Sequence, residues 1–243
     1  MKDEYLNMMI CAEEDPELYD IISRFLEQDV HAADQLSVTE RHLCVLSALM
    51  GCQGKEAFMA ELHEAMKDGV DPIAIREAVY QAAAYLGLGR ILPFLHMADA
   101  LMQEHGLSLP LPPQGATNDD DRFEKGLDKQ VQLFGEGMRK QQSEAPQPRR
   151  NINRWLAANC FGDYYTRNGL NDAQRELVTS CLILAQGGCE NQLRGHTAGN
   201  LGVGNDAAKL YGAVEQCMPY IGYPRSLNVM NIIDEVAGKL AKQ

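Results

Sequence analysis

The chain has 243 residues, with 22 basic against 34 acidic side chains and a net charge of −12. That balance excludes nucleic acid or an anionic membrane surface as the main partner, because both need a cationic face, yet it leaves room for a small anionic substrate in a local cationic pocket. Seven cysteines without a paired spacing read as reduced thiols of a cytoplasmic protein. The acidic N-terminus lacks the basic and apolar regions of a signal peptide, and no apolar run of about 18 residues is present to span a membrane.

The predicted elements are helices throughout. Asp15 and Pro16 start one that runs to Phe25. Ser37 and Glu40 form a capping box before the next, which Gly51 and Gly54 end. A helix from about Lys55 to Lys67 stops before Gly69, and Asp71-Pro72 opens another that continues to Tyr85. Gly87 and Gly89 turn the chain into a helix from about Arg90 to Glu104. The stretch SLPLPPQG and three consecutive aspartates mark residues 107–121 as a linker, dividing a unit of residues 1–106 from one of residues 122–243. Arg122 to Gln142 reads helical, and Asn151 to Cys160 is a further helix carrying Trp155. Asn171 and Gln174 cap a helix that Gly187-Gly188 ends near Gln186. Helices follow from roughly Cys189 to Leu201, from Asn205 to Met218-Pro219, and from the YIGYPR corner to Leu240.

This order repeats. Arg41 to Arg90 and Arg175 to Arg225 each spell helix, glycine break, helix, Gly-Val turn, helix, Tyr-x-Gly corner and helix. Two long copies are too few for a solenoid and predict an all-α fold built by tandem duplication of one helical-bundle domain. Between the copies His63 matches His196, Gln81 matches Gln216 and Tyr85 matches Tyr220, with His42 where the second copy has Glu176. On that matching the first copy is drifted and mainly structural, and the second carries the site.

In the second copy, Cys189, Gln192, His196 and Asn200 share one helical face. Glu176 lies about 17 Å of helix before the Gly187-Gly188 corner and His196 about 12 Å after it, at 1.5 Å per residue, so an antiparallel pair brings them within reach. A carboxylate beside an imidazole fixes its tautomer and suits general acid–base work. Cys189 opens a helix, a position that favours a thiolate, but the residue three positions on is Gln192, so no dithiol forms there; a structural thiol is the plainer reading. Cys181 and Cys217 read as packing. The Tyr220 to Arg225 corner is first a turn, with Arg225, Arg194 and Arg167 as candidate carboxylate clamps. His42, His63, His96 and His105 show no ligand spacing and no glycine-rich phosphate loop occurs, so neither metal nor cofactor is expected.

The segments RFEKGL, NCFGDYYTRNGLNDAQRELVT, GGCENQLRGHTAGNLGVGN and YIGYPRSLN resemble the carboxymuconolactone decarboxylase family over nearly all of Arg122 to Val236. Asp15 to Met102 resembles a second, more divergent copy. The resemblance implies an all-α bundle, a homotrimer with six quasi-equivalent units, and cofactor-free decarboxylation of a small lactone of the γ-carboxymuconolactone type. It makes His196 the acid–base and Glu176 its orienting partner. Gln192, Tyr220 and Arg225 would line the pocket, with Cys189 at its edge. A second branch is similar to alkyl hydroperoxidase D, whose relay is Cys-x-x-Cys-x-x-x-His. Here Cys189-x-x-Gln192-x-x-x-His196 lacks the second thiol, so thiol-dependent peroxidase activity would need Cys181 or Cys217 as the resolving group. The third reading is a non-catalytic oligomeric scaffold.

Overall fold

The first and third helices of each repeat start where a side chain can accept an unpaired amide. Ser37 accepts from the Glu40 amide, and Asn171 does the same for Gln174; in both, the third residue reaches back to complete the box. Asp71 and Asp206 cap the third helix of each repeat. In the computed structural model, which describes residues 2–33 and 35–241, the helices are α1 (Lys2–Asn7), α2 (Pro16–Arg24), α3 (Val38–Cys52), α4 (Lys55–Lys67), α5 (Pro72–Leu86) and α6 (Leu88–Glu104). They continue with α7 (Arg122–Phe134), α8 (Gly137–Ser143), α9 (Arg150–Trp155), α10 (Asp172–Gln186), α11 (Glu190–Gly202), α12 (Ala207–Ile221) and α13 (Tyr223–Leu240). No strand occurs among the described residues, and none of their helices is long and apolar enough to cross a membrane.

Two sequence expectations change. The single helix expected from Arg122 to Gln142 is broken at Gly135, whose φ of 87° ends α7 before α8 begins. The helix carrying Trp155 does not stop at Cys160 but widens into a π-helical segment, Leu156–Tyr165. A π turn bonds five residues back, a geometry that amphipathic spacing does not announce.

The two repeats share their core. Helix α3 crosses α10, and the crossing is lined by small residues: Cys44 and Ala48 from one repeat pack with Cys181 and Ala185 from the other. Gly51 is required there, because a Cβ would lie 2.7 Å from the Leu182 carbonyl and 2.8 Å from the Ala185 Cβ. Val178 and Leu182 of the second repeat in turn belong to the apolar cluster of the first. The neighbouring contacts are reciprocal, with α5 packing on α10 and α12 on α3. Each repeat therefore delivers the end of its third helix to the other repeat's first helix, and this exchange positions both clusters described next.

Candidate active site

Gly187 and Gly188, at φ of 72° and 71°, turn the chain back so that α11 lies along α10. Glu176 projects from α10 and is fully buried, while His196 projects from the middle of α11 and is 8% exposed. His196 Nδ1 lies 3.0 Å and 3.2 Å from the two oxygens of the Glu176 carboxylate. Tyr165 at the end of the π segment donates its hydroxyl to the same carboxylate at 2.8 Å. Space for the acid comes from Gly199, where a Cβ would overlap the carboxylate and meet Phe134 at 3.0 Å. One turn beyond His196, the Asn200 amide donates to the Glu176 carbonyl at 3.0 Å and to Ser180 at 2.9 Å, which fixes α11 against α10. With Nδ1 held by the carboxylate, the tautomer is set and Nε2 is the working nitrogen. It faces the Tyr85 hydroxyl at 3.4 Å, with the Tyr85 and Phe134 rings edge-on to the imidazole.

Tyr85 comes from the first repeat. It sits at the end of α5 and donates to Tyr165 at 3.1 Å. Tyr165 bonds Thr179 at 2.7 Å, and Thr179 accepts from Gln81 at 2.6 Å. The Gln81 amide exchanges hydrogen bonds with Arg175, and Arg175 reaches buried Glu77 at 3.1 Å, where Arg167 also binds. Burial pushes the Tyr85 phenol far up, helped by Cys160 and the charge of Glu176, and it does the same to Tyr165, again with Glu176. Burial likewise pushes the Cys160 thiol up to about 12. All three stay protonated at neutral pH, so the hydroxyl that faces His196 Nε2 is neutral.

The expected residues do not all meet. Glu176 and His196 come together. Gln192 is exposed one turn before His196. Cys189 caps α11, accepts from the Gln186 amide at 3.1 Å, and shares a small crevice with Arg225. The Arg225 guanidinium does not face His196: it binds the Ala185 carbonyl and packs beneath Gly187. Arg167 is engaged by Glu77, and Arg194 by Glu235 at 2.9 Å. Cys181 lies 3.9 Å from Cys217 in a fully buried group with Cys44, where the hydrogen bond to Cys181 and burial push the Cys44 and Cys217 thiols up.

Tyr220 belongs elsewhere, and its position corrects the matching of the copies. The N-caps Gly54 and Cys189, the caps Asp71 and Asp206, and the corners Gly87 and Gly222 all stand at one common spacing. That register pairs Glu61, not His63, with His196; His63 instead stacks beside His105, ring centroids 6.2 Å apart. The acid and the imidazole have changed places: His42 stands on α3 at the same distance from its cap Ser37 as Glu176 does from Asn171 on α10, and Glu61 stands on α4 where α11 has His196. His42 Nδ1 lies 2.7 Å from Glu61 and its Nε2 lies 3.0 Å from Asp68. Tyr220, delivered by α12, makes a short contact with Tyr5 of α1, which donates to Glu61 at 3.1 Å. The first copy therefore holds a buried acid–imidazole cluster of its own. This cluster lines a cavity of about 310 Å³.

Burial alone would lower the pKa of His42, but the hydrogen bond and charge of Glu61, joined by Asp68, outweigh it and hold it above the ordinary value. A base raised in the folded state stabilises the fold fully below its unfolded pKa of about 6.5, and that contribution is lost as pH rises through the folded value. The urea midpoints of wild type and His42→Gln are accordingly expected to differ most below about pH 6.5 and to converge as pH rises. A constant difference across that range would show that His42 carries no charge in the fold.

The fold is a tandem all-α bundle with a buried carboxylate–imidazole pair in each repeat, each cluster completed by a tyrosine from the other repeat. The carboxymuconolactone decarboxylase family model matches residues 16–100 and 151–235, one segment in each repeat, and the chain belongs to that family. It is 27% identical over 120 residues to the 4-carboxymuconolactone decarboxylase of Acinetobacter baylyi (strain ATCC 33305 / BD413 / ADP1), an alignment that takes in 89% of that protein and 49% of this chain. That relative thus corresponds to about one repeat.

Proposed function

We propose that the chain is a cofactor-free lyase that decarboxylates a small enolisable carboxylate of the γ-carboxymuconolactone type, with His196 as the acid–base. The observation that carries this reading is the Glu176–His196 pair, which leaves Nε2 beside the neutral Tyr85 hydroxyl. When the bond to the departing carboxylate breaks, its electron pair passes into the adjoining unsaturated lactone as an enolate. Neutral hydroxyl donors stabilise such developing charge, and His196 Nε2, after taking up a proton from solvent, can deliver it to carbon while Nδ1 stays on Glu176. The family membership and the relative's name support the reaction class.

Carbon dioxide release from γ-carboxymuconolactone tests the reading. His196→Ala is expected to reduce turnover at least about a hundredfold, the lower range for loss of a positioned acid–base, while Cys189→Ser retains it. No release by the wild type overturns the proposal. Loss in Cys189→Ser together with peroxide reduction by the wild type would favour a thiol peroxidase instead.

Self-association belongs to the same proposal. Large apolar side chains are exposed in pairs that recur in both repeats: Leu18 and Ile21 on α2 against Ile152 and Trp155 on α9, and Leu88 and Leu92 on α6 against Tyr223 and Leu227 on α13. Repeated patches of this kind suit a quasi-symmetric ring. Light scattering is expected to return the mass of three chains, and a monomer at micromolar concentration would refute the trimer.

A further inference from the structure

The first repeat contains the same kinds of groups as the second, rebuilt from different positions. The second repeat assembles Glu176, His196 and Tyr165 with Tyr85 from the opposite repeat. The first assembles Glu61, His42 and Tyr5 with Tyr220 from the opposite repeat. Acid and imidazole have exchanged helices, and the tyrosine that bonds the carboxylate comes from α1 instead of the preceding π segment. Glu61 and His42 remain buried, as Glu176 and His196 are. A repeat kept only for packing has no need of a buried ion pair, because replacing one with well-packed apolar side chains is often neutral or stabilising.

The surroundings differ in two ways. The cavity of about 310 Å³ lies beside the first cluster, walled on one side by Leu6, Leu26, Val30 and Val45. Its polar wall carries Glu27, Glu61, Glu64 and Asp68 against the cations Arg41 and His42, with His31 also facing it. Arg41 and His42 both lie against Asp68, at 3.4 Å and 3.0 Å, and His42 spends its other nitrogen on Glu61. Carboxylates outnumber the cations of this wall, both of which already face acids, and Glu64 is in addition engaged by Lys67 at 3.1 Å. A carboxylate entering here would meet like charge, whereas an ammonium group would be attracted. An apolar cavity of this size with a few convergent polar groups is the form that small-molecule sites take.

We infer that the first repeat holds a second binding site, built around Glu61, Tyr5 and Tyr220, which takes a small amine with an apolar or aromatic body and rejects the matching carboxylate. The ammonium group lies toward Glu61, and the body rests on Leu26, Val30 and Val45. His42, clamped between Glu61 and Asp68, is a positioning residue that holds the Glu61 carboxylate in place. This site does not depend on the lyase reading of the second repeat.

The probes are tyramine and 4-hydroxyphenylacetate, which share a phenol body and differ in the charge of the head. Calorimetric titration of the full chain at pH 7 is expected to show tyramine binding at least tenfold more tightly than 4-hydroxyphenylacetate. Glu61→Gln should weaken tyramine at least tenfold, and Tyr220→Phe, which removes one hydroxyl and keeps the ring, should weaken it several-fold. His196→Ala should leave it unchanged. Circular dichroism confirms folding of each variant, and Tyr220→Phe carries the test if Glu61→Gln does not fold. Equal binding of the two probes, no binding of tyramine, or binding that survives both Glu61→Gln and Tyr220→Phe overturns the inference. Loss of tyramine binding in His196→Ala would place the amine at the second repeat and overturn it equally, whatever the outcome of the carbon dioxide assay.

Discussion

Glu77→Gln is expected to destabilise the chain by about 3–5 kcal/mol, the range for removing one member of a buried ion pair and stranding the other. Glu77 is 1% exposed and receives two guanidinium groups, Arg167 at the rim and Arg175 in the interior. Arg175 is also 1% exposed, so glutamine at position 77 leaves a full positive charge inside the protein with only carbonyl and amide oxygens around it: Gln81 Oε1 at 2.8 Å and the carbonyls of Arg167 and Asn168 at 2.7 Å and 3.0 Å. Burial already pulls the Arg175 guanidinium below its usual pKa, and the charge of Glu77 is what opposes that pull. At fixed protein concentration the melting temperature should fall by roughly 6–20 °C, taking about 2–4 °C per kcal/mol for a chain of this size. The double variant Glu77→Gln, Arg175→Gln should recover part of the loss, since no buried charge is then stranded. If the single and double variants melt together, Arg175 is not charge-compensated by Glu77. Because Arg175 and Gln81 join the two repeats, this ion pair belongs to the junction that brings Tyr85 to His196.

The fold was legible because its signals are local. The capping boxes at Ser37 and Asn171, Asp71 before Pro72, and the glycines at the corners each act within a few residues, and duplication printed the pattern twice. Glu176 and His196 were legible for the same reason, since two helices and one turn connect them. The rest of the cluster was not. Tyr85 and Gln81 reach it because α5 of the other repeat packs on α10, and Tyr165 because the π segment ends beside α10, neither of which any spacing in the sequence encodes. The identical Tyr-x-Gly corners suggested that Tyr220 and Arg225 serve their own repeat, yet the crossing sends Tyr220 to the other one and leaves Arg225 on a backbone carbonyl. His63 misled because it is a histidine at nearly the right distance. The true register shows only once the caps are aligned, and it puts a glutamate opposite His196.

Gly162→Ala should be among the most damaging single-methyl additions available to this chain. Helix α7 and the π segment Leu156–Tyr165 touch backbone to backbone: a Cβ on Gly162 would overlap the Arg122 carbonyl, and one on Gly126 would overlap the Ala157 carbonyl. A flexible side chain can move aside from a new methyl group, but a helical carbonyl cannot without carrying its helix with it. The expected cost is about 3 kcal/mol, the upper end of ordinary overpacking. The Gly162 carbonyl also accepts from Thr117 at 3.0 Å and Thr166 at 2.6 Å, so the segment is held in place at this residue. The same segment carries Cys160, Phe161 and Tyr165, and α7 carries Phe134, so a shift that relieves the clash moves Tyr165 away from Glu176 and Phe134 away from His196. Gly162→Ala should therefore lose urea resistance and the proposed decarboxylation together. Gly238→Ala on α13 is the control, since a Cβ there meets nothing within 4 Å and alanine in place of an exposed helical glycine adds up to about 1 kcal/mol. Equal urea midpoints for Gly162→Ala and wild type would mean that α7 does not approach the π segment closely, and with that approach would go the explanation for how a widened helix, rather than a regular one, frames the histidine.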